Sequence, residues 1–172
     1  MPFIERSRDT TSETAHDTAK DTARETVSLT VDVVVFSIRD GELNVLLAES
    51  DRERGRSSAG LPSGPIRPGE DMDAAALRVV GEAAGAASEP THVEQLRAYD
   101  AARRGAAHGQ RALSIGYVAV QPEAPAGGTW APATEILDGT RELPHGEADI
   151  VRDAVERFRA DLGHTALSTA FL

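Results

Sequence analysis

The sequence contains no cysteine. Disulfide scaffolds, thiolate nucleophiles and metal sites held by cysteine are therefore excluded. Aromatic residues are also scarce, with four Phe, two Tyr and one Trp in 172 residues, and Lys20 is the single lysine. No apolar run approaches the roughly 20 residues that a membrane-spanning helix needs. The first residues, Met-Pro-Phe-Ile-Glu-Arg, also lack the apolar stretch of a secretory signal.

Acidic residues outnumber basic residues by 28 to 18, which gives a formal net charge of −10. A protein that holds nucleic acid over a broad surface needs clustered Lys and Arg, so direct nucleic-acid binding is not expected. A small basic pocket for one phosphorylated metabolite remains compatible with this balance. Without a membrane span or a secretory signal, we expect a cytoplasmic protein with room for one ordinary domain.

The N-terminal region repeats an acidic residue followed by threonine every four positions. The repeats are Asp9-Thr10, Glu13-Thr14, Asp17-Thr18, Asp21-Thr22 and Glu25-Thr26. A period of four places like residues on one helical face, but here both stacked positions are polar and no apolar stripe accompanies them. We therefore predict a disordered polar tail over residues 1–28, ahead of a domain covering residues 29–172. A solubilising role is favoured over a phosphorylated or partner-induced segment.

β-branched and apolar residues predict a series of strands. Leu29–Ile38 is typical of a buried strand, and Asp40-Gly41 predicts a hairpin turn into a second strand at Leu43–Ala48. Leu61–Gly69 holds too many prolines and glycines for extended regular structure. The other predicted strands are Val93–Tyr99, Leu113–Val120 and Thr129–Pro132, with loops at 49–60, 100–112 and 122–128.

Two helices are predicted. The first begins at a cap formed by Asp71 or Asp73, runs to Ala84 and is ended by Gly85. The second, Glu147–Leu162, carries apolar residues at helical spacing along its whole length. Strands with helices interposed predict an α/β or α+β sandwich.

A spaced motif occupies residues 64–86, which we call the box. It resembles a Nudix box, whose pattern is Gly, five residues, Glu, seven residues, Arg-Glu, an aliphatic residue, any residue, Glu-Glu, any residue, Gly and an aliphatic residue. The residues in register are Gly64, Glu70, Arg78, Val80, Glu82 and Gly85. The resemblance implies a Nudix fold, in which a mixed β-sheet is sandwiched between α-helices.

The surrounding sequence is most similar to the Nudix domain of Nudix-related transcriptional regulators of NAD metabolism. The similarity includes the opening hairpin, the lead-in Leu61-Pro62-Ser63-Gly64, and a last helix followed by residues 164–172. In those regulators a winged-helix DNA-binding module follows the Nudix domain. We expect no such module in this chain.

Two carboxylates of the family pattern are replaced. Val79 stands where the pattern has the glutamate after the arginine, and Ala83 replaces the second glutamate of the pair. In Nudix hydrolases the box glutamates face one side of the helix and hold Mg²⁺ against the substrate diphosphate. Here that face retains Glu82, with Glu70 near the helix start. We therefore expect Glu70 and Glu82 to be catalytic remnants, and Mg²⁺ to bind only if ligands come from outside the box.

The resemblance also implies that Arg78 orients the box carboxylates. Arg78 and Glu82 are four residues apart, which predicts an ion pair between neighbouring turns of the helix. An arginine-rich loop could contact an anionic ligand, because guanidinium groups offer forked donors to phosphate. A solvated loop explains it equally well. The candidate ligand-binding residues are Gly64, Arg78, Arg103, Arg104 and Arg111.

Three further residues have structural interpretations that we favour. His145 and Glu147 precede or begin the last helix and could line a ligand pocket, although a glutamate there is ordinary helix electrostatics. Trp130 is more readily a core or dimer-contact residue than a base-stacking platform.

The resemblance implies a catalytically degenerate sensor of ADP-ribose or a related nucleotide derivative. We expect it to be a homodimer and to signal to a protein partner through the apolar segment Ala166–Leu172. One alternative is a metal-dependent nucleoside-diphosphate hydrolase with relocated ligands, such as Glu94, Glu123 or Asp149. Another is metal-free acid–base chemistry by Glu70, Glu82 or His108, and a third is a structural protein without a small-molecule pocket.

The tail prediction can be tested by deleting residues 1–26. Because the tail has no apolar face to bury, the melting temperature of the truncated protein should equal that of the full chain, as measured by circular dichroism. A drop of several degrees would show that the tail folds onto the domain.

Overall fold

A computed structural model describes residues 27–50, 58–85, 90–100, 111–122 and 128–162. These ranges contain seven strands: β1 Val27–Arg39, β2 Glu42–Ser50, β3 Ser58–Gly60, β4 Ser63–Pro65, β5 His92–Asp100, β6 Arg111–Val120 and β7 Thr129–Pro132. They also contain the helices α1 Met72–Ala84, α2 Ala133–Leu137 and α3 Glu147–Leu162, and a 3₁₀ turn at Pro144–Gly146. None of these helices is both long and apolar enough to cross a membrane. The predicted tail lies outside the described residues, apart from the start of β1.

The strands form one mixed sheet in the order β3-β2-β1-β6-β5. Strand β1 pairs in parallel with β6, from Val27 opposite Arg111 to Phe36 opposite Val120. It pairs in antiparallel fashion with β2 on its other edge and with β4 at its start. Strand β7 extends the sheet beside β2. The central position of β1 explains the near-continuous apolar sequence of its middle part, where both faces of the strand are buried.

Alternate residues of β1 face two separate apolar clusters. Val31, Val33 and Val35 pack with α1, whereas Val34 and Phe36 pack with α2 and α3. All five are fully buried. The sheet is therefore sandwiched between helices, which confirms the predicted α+β architecture.

The hairpin between β1 and β2 forms where the sequence predicts it. Asp40 and Gly41 both have positive φ, at 52° and 80°. Two consecutive residues with positive φ define the tight turn that matches the right-handed twist of a hairpin, and Asp-Gly is a favoured pair for it.

Helix α1 begins and ends at predicted residues. Of the two candidate caps, Asp71 is the one used: its carboxylate accepts a hydrogen bond from the backbone N–H of Ala74 at 2.7 Å. The other candidate, Asp73, accepts a hydrogen bond from the buried Tyr117 hydroxyl at 2.7 Å. Burial and this acceptor raise the pKa of Tyr117 above its ordinary value. Asp73 therefore fastens the first turn of α1 to strand β6.

Several short elements differ from the sequence-based expectation. Strand β4 lies inside the segment predicted to be irregular, because the start of β1 offers it an unpaired edge and Pro62 O accepts a hydrogen bond from Val33 N at 2.9 Å. Strand β3 lies in a predicted loop, β6 begins two residues early at Arg111, and β1 begins at Val27. Helix α2 was not predicted at all. Elements of three to five residues are too short to show a hydrophobic period.

A side chain at the start of α3 forms a hydrogen bond with the segment between β3 and the box. Glu147 is fully buried, and its carboxylate accepts a hydrogen bond from the backbone N–H of Leu61 at 2.7 Å. A Cβ atom at Gly60 would lie 2.8 Å from the same carboxylate oxygen, so this approach requires glycine. Glu147 thus positions the chain just before the box, an inward role that the sequence interpretation as helix electrostatics did not foresee.

Candidate functional site

A tight turn before helix α1 positions the first carboxylate of the box, Glu70. The backbone N–H of Glu70 donates to the carbonyl of Arg67 at 3.0 Å, across a turn in which Gly69 has a φ of 79°. The backbone N–H of Arg67 in return donates to the Glu70 carboxylate at 2.9 Å. This turn holds the Glu70 side chain toward α1.

Arg78 binds Glu70 through two parallel hydrogen bonds. Its Nε lies 2.7 Å from Oε1 and its Nη2 lies 2.9 Å from Oε2. Nη2 also donates to the carbonyl of Pro65 at 2.8 Å. Both side chains are largely buried, and the two-pronged geometry is the strongest form of an arginine–carboxylate pair. The arginine therefore orients the box carboxylate, as the family resemblance implied.

Glu82 is held by two guanidinium groups on the outer side of α1. Its Oε1 accepts from Arg78 Nη1 at 3.4 Å, which confirms the predicted one-turn ion pair. The same oxygen accepts from Arg67 Nη2 at 3.2 Å. Glu82 remains 57% exposed, and Arg67 is 60% exposed. Arg67 is thus part of the site, although the sequence analysis did not select it.

The charges of this cluster shift the pKa values of its members. The hydrogen bonds from Arg78 and from the Arg67 backbone lower the pKa of Glu70 to about 2 from an ordinary value of 4.5. The hydrogen bond to Glu70 correspondingly raises the pKa of Arg78 above its ordinary value. Glu70 is therefore ionised at neutral pH, and it is a poor proton carrier there.

Val79 lies inside the apolar cluster between α1 and the sheet. It is 2% exposed and shares this cluster with Ala75, Ala76 and Val80 of the same helix. A Cβ atom at Gly64 would lie 2.9 Å from Val79 Cγ2. The absence of a side chain at Gly64 thus allows strand β4 to rest directly on Val79.

Glu82 and Glu49 line the same surface recess. Its volume is about 400 Å³, and its other lining residues are Leu47, Ala48, Ala83, Gly128 and Thr129. Glu49 is another residue that the sequence analysis did not select, because it lies on β2, far from the box in sequence. In the described part of the chain, no group of three or more His, Asp or Glu side chains is arranged to hold a metal ion.

The remaining candidate residues are distributed as follows. Arg103, Arg104, His108 and Glu123 lie outside the described residues, and so does the side chain of Arg111, which begins β6. Glu94 forms an ion pair with Arg157 and a hydrogen bond with His92, and Asp149 pairs with Arg152 on α3. Of the predicted set, the structure therefore brings together Gly64, Glu70, Arg78 and Glu82.

Trp130 has a structural environment. It is partly buried against the apolar cluster beneath α1. The guanidinium carbon of Arg39 lies 5.7 Å from the centre of its ring, within the range of a cation–π contact.

Solved structures identify the fold. No protein-family model matches the chain, and no curated protein matches it at a significant level. A mutT/nudix family protein from Listeria innocua superposes with a TM-score of 0.64 at 18% identity, covering 80% of this chain and 98% of that one. The chain therefore has the Nudix fold.

Within this fold, the chain is similar to NrtR from Shewanella oneidensis. The NrtR Nudix domain in complex with ADP-ribose gives a TM-score of 0.63 at 24% identity, with 82% of this chain and 94% of that one covered. NrtR in complex with a 27mer DNA gives the same TM-score and identity. The match covers 77% of this chain but 63% of that NrtR chain.

The depressed pKa of Glu70 predicts a pH effect that depends on Arg78. Because the pKa of Glu70 is lower in the folded protein than its ordinary value of 4.5, the pair stabilises the fold above that pH. This stabilisation is lost as the pH falls toward 2. Between pH 4.5 and pH 2, the free energy of unfolding should change less in Arg78→Met than in the unmodified protein. Urea denaturation at several pH values measures this free energy, and NMR titration measures the pKa of the Glu70 carboxyl group.

Arg152→Met provides the control, because Arg152 is exposed and pairs with Asp149 on the same helix, away from the box. It should leave the titration of Glu70 unchanged. An ordinary pKa for Glu70 in the unmodified protein would contradict the observed geometry.

Restoring the two family carboxylates one at a time should have unequal effects on stability. Val79→Glu places a carboxylate in a closed apolar cluster, so we expect a loss of several kcal/mol. Ala83→Glu is the matched control on the same helix, since position 83 is partly exposed, and we expect a change within about 0.5 kcal/mol. Urea denaturation of both variants measures the difference, and equal losses would contradict the burial of position 79.

Proposed function

We propose that this Nudix-fold domain binds a nucleotide derivative of the ADP-ribose class and does not hydrolyse it. The observation that carries the proposal is the burial of Val79. By family resemblance, position 79 is a carboxylate that takes part in metal binding. Here an apolar side chain occupies it and packs against Gly64, Ala75 and Val80.

The charges around the two remaining box carboxylates also support a role without a metal. Mg²⁺ requires several oxygen ligands in near-octahedral geometry. Both oxygens of Glu70 already accept hydrogen bonds from Arg78, and Glu82 faces Arg78 and Arg67. A cation that bound Glu70 would have to compete with Arg78 for both carboxylate oxygens, and at Glu82 it would meet the charges of two guanidinium groups. We therefore propose that the box carboxylates are neutralised by Arg78 and Arg67 and not by a metal ion.

An exposed guanidinium group favours an anionic ligand. Arg67 is 60% exposed and extends over the outer face of α1 beside Arg78. Arginine offers forked donors that suit the oxygens of a diphosphate. The NrtR Nudix domain has been solved in complex with ADP-ribose, which supports the choice of ligand class. Gly64, Arg103, Arg104 and Arg111 remain candidate contacts in this proposal.

The proposed effect of ligand binding is a change in the quaternary arrangement of the domain. We propose that the domain forms a homodimer and that the ligand shifts it between two arrangements, which a protein partner detects. A ligand shifts such an equilibrium only by the difference between its affinities for the two states. We place this regulatory protein in the cytoplasm.

A metal-dependent hydrolase is the second candidate, and one observation favours it. Glu49 and Glu82 line a common recess of about 400 Å³ on the side of α1 that carries Ala83. Two carboxylates could share a cation there if further ligands joined them. The experiment below separates this candidate from the sensor.

The test is incubation of the full chain with ADP-ribose, in EDTA and with Mg²⁺ or Mn²⁺, followed by thermal shift and by chromatography of products. We expect ADP-ribose to raise the melting temperature equally with and without metal, and to be recovered intact. Arg67→Gln should reduce the shift, whereas the exposed control Arg152→Gln on α3 should not. Calorimetry should find no micromolar affinity for Mg²⁺.

Metal-dependent turnover that disappears in Glu82→Gln, while Glu156→Gln retains it, would establish the hydrolase instead. No shift by ADP-ribose or other nucleoside diphosphates, together with no turnover, would contradict both candidates.

A further inference from the structure

An apolar groove lies on the face of the sheet opposite to α1. It has a volume of about 410 Å³ and is bounded by the β1–β2 hairpin, α2 and the last two turns of α3. Its apolar lining consists of Ile38, Leu43, Ala133, Leu137, Val155 and Phe158. The groove is separate from the box, because these residues belong to the α3 side of the molecule.

The edge of the groove exposes apolar surface that would gain from being covered. Ile38, at the end of β1, is 47% exposed, and Leu43 across the hairpin is partly buried. Covering apolar surface contributes roughly 25 cal/mol for each Å² removed from water. The charged residues of the groove, Glu42 and Arg159, lie on opposite elements, the hairpin and α3.

We propose that residues 166–172 of this chain occupy the groove of the same molecule. The segment Ala-Leu-Ser-Thr-Ala-Phe-Leu contains no charged side chain, so docking its side chains desolvates no ion. Leu167, Phe171 and Leu172 supply apolar side chains to a lining that is itself apolar. The proposal does not depend on the ligand of the box.

The place where α3 ends favours this segment over other occupants. The helix ends at Leu162, one turn beyond Phe158 and Arg159, which line the groove. The connection 163–165 has three residues, and an extended residue spans about 3.3–3.6 Å, so it reaches across roughly one helix diameter. Gly163 is suited to reverse the chain direction after a helix. A tethered segment also has a millimolar effective concentration, which favours docking within one molecule over docking between two.

Cysteine trapping tests the proposal cleanly because the chain has no cysteine of its own. One cysteine replaces Thr134, an exposed groove residue on α2, and the second replaces Leu167, Ala170 or Leu172 in turn. Under mild oxidation at low protein concentration, at least one pair should form an intramolecular disulfide at least tenfold faster than a control pair. The control combines the same segment cysteine with Ala74→Cys, at an exposed position on α1.

Two results would overturn the proposal. Disulfide-linked dimers would show that the segment docks on a second copy. Trapping no faster than in the control pairs would show that the segment leaves the groove free.

A thermodynamic cycle provides a second measurement that does not depend on disulfide geometry. Leu137→Ala and Phe171→Ala should each lower the melting temperature, and the double variant should lose less than the sum of the two. In the control cycle, Ser168→Ala replaces Phe171→Ala. The changes in melting temperature caused by Ser168→Ala and Leu137→Ala should be additive. Additive losses in both cycles would contradict docking of Phe171 beside Leu137.

Discussion

The parallel pairing of β1 with β6 is the constraint on which the rest of the molecule depends. Ten consecutive residues of β1 are paired with β6, while β2 and β4 share its other edge. Helices cover both faces of β1: α1 packs on one set of its alternating side chains, and α2 and α3 pack on the other. A shift of one residue would exchange these two sets and remove the support for the helices on both faces.

The candidate site inherits its geometry from this arrangement. Strand β4 pairs with the start of β1, and its residue Gly64 rests on Val79 of α1. This contact places Pro65 within hydrogen-bonding distance of Arg78, which in turn orients Glu70. Backbone groups of Arg67 and Pro65 therefore help to position the charged cluster.

The long elements and the short strand β7 were predictable from the sequence, whereas β3, β4 and α2 were not. Dense β-branched residues identified β1. Gly85 defined the end of α1, and the sequence left its start between the two candidate caps Asp71 and Asp73. Strand β4 and helix α2 depend on neighbours that are distant in sequence, so no local hydrophobic periodicity predicts them. In the site, the pairing of Arg78 with Glu82 follows from helical spacing. Arg67 and Glu49 reach Glu82 and its recess only through tertiary structure.

The contact between Gly64 and Val79 links the evolution of two positions fifteen residues apart. A side chain at position 64 would meet Val79 Cγ2 at 2.9 Å, so such a change is tolerated only after position 79 becomes smaller. A charged residue at position 79 likewise requires polar neighbours first, because those present are apolar. The side chain present at position 79 therefore restricts which residues position 64 can accept.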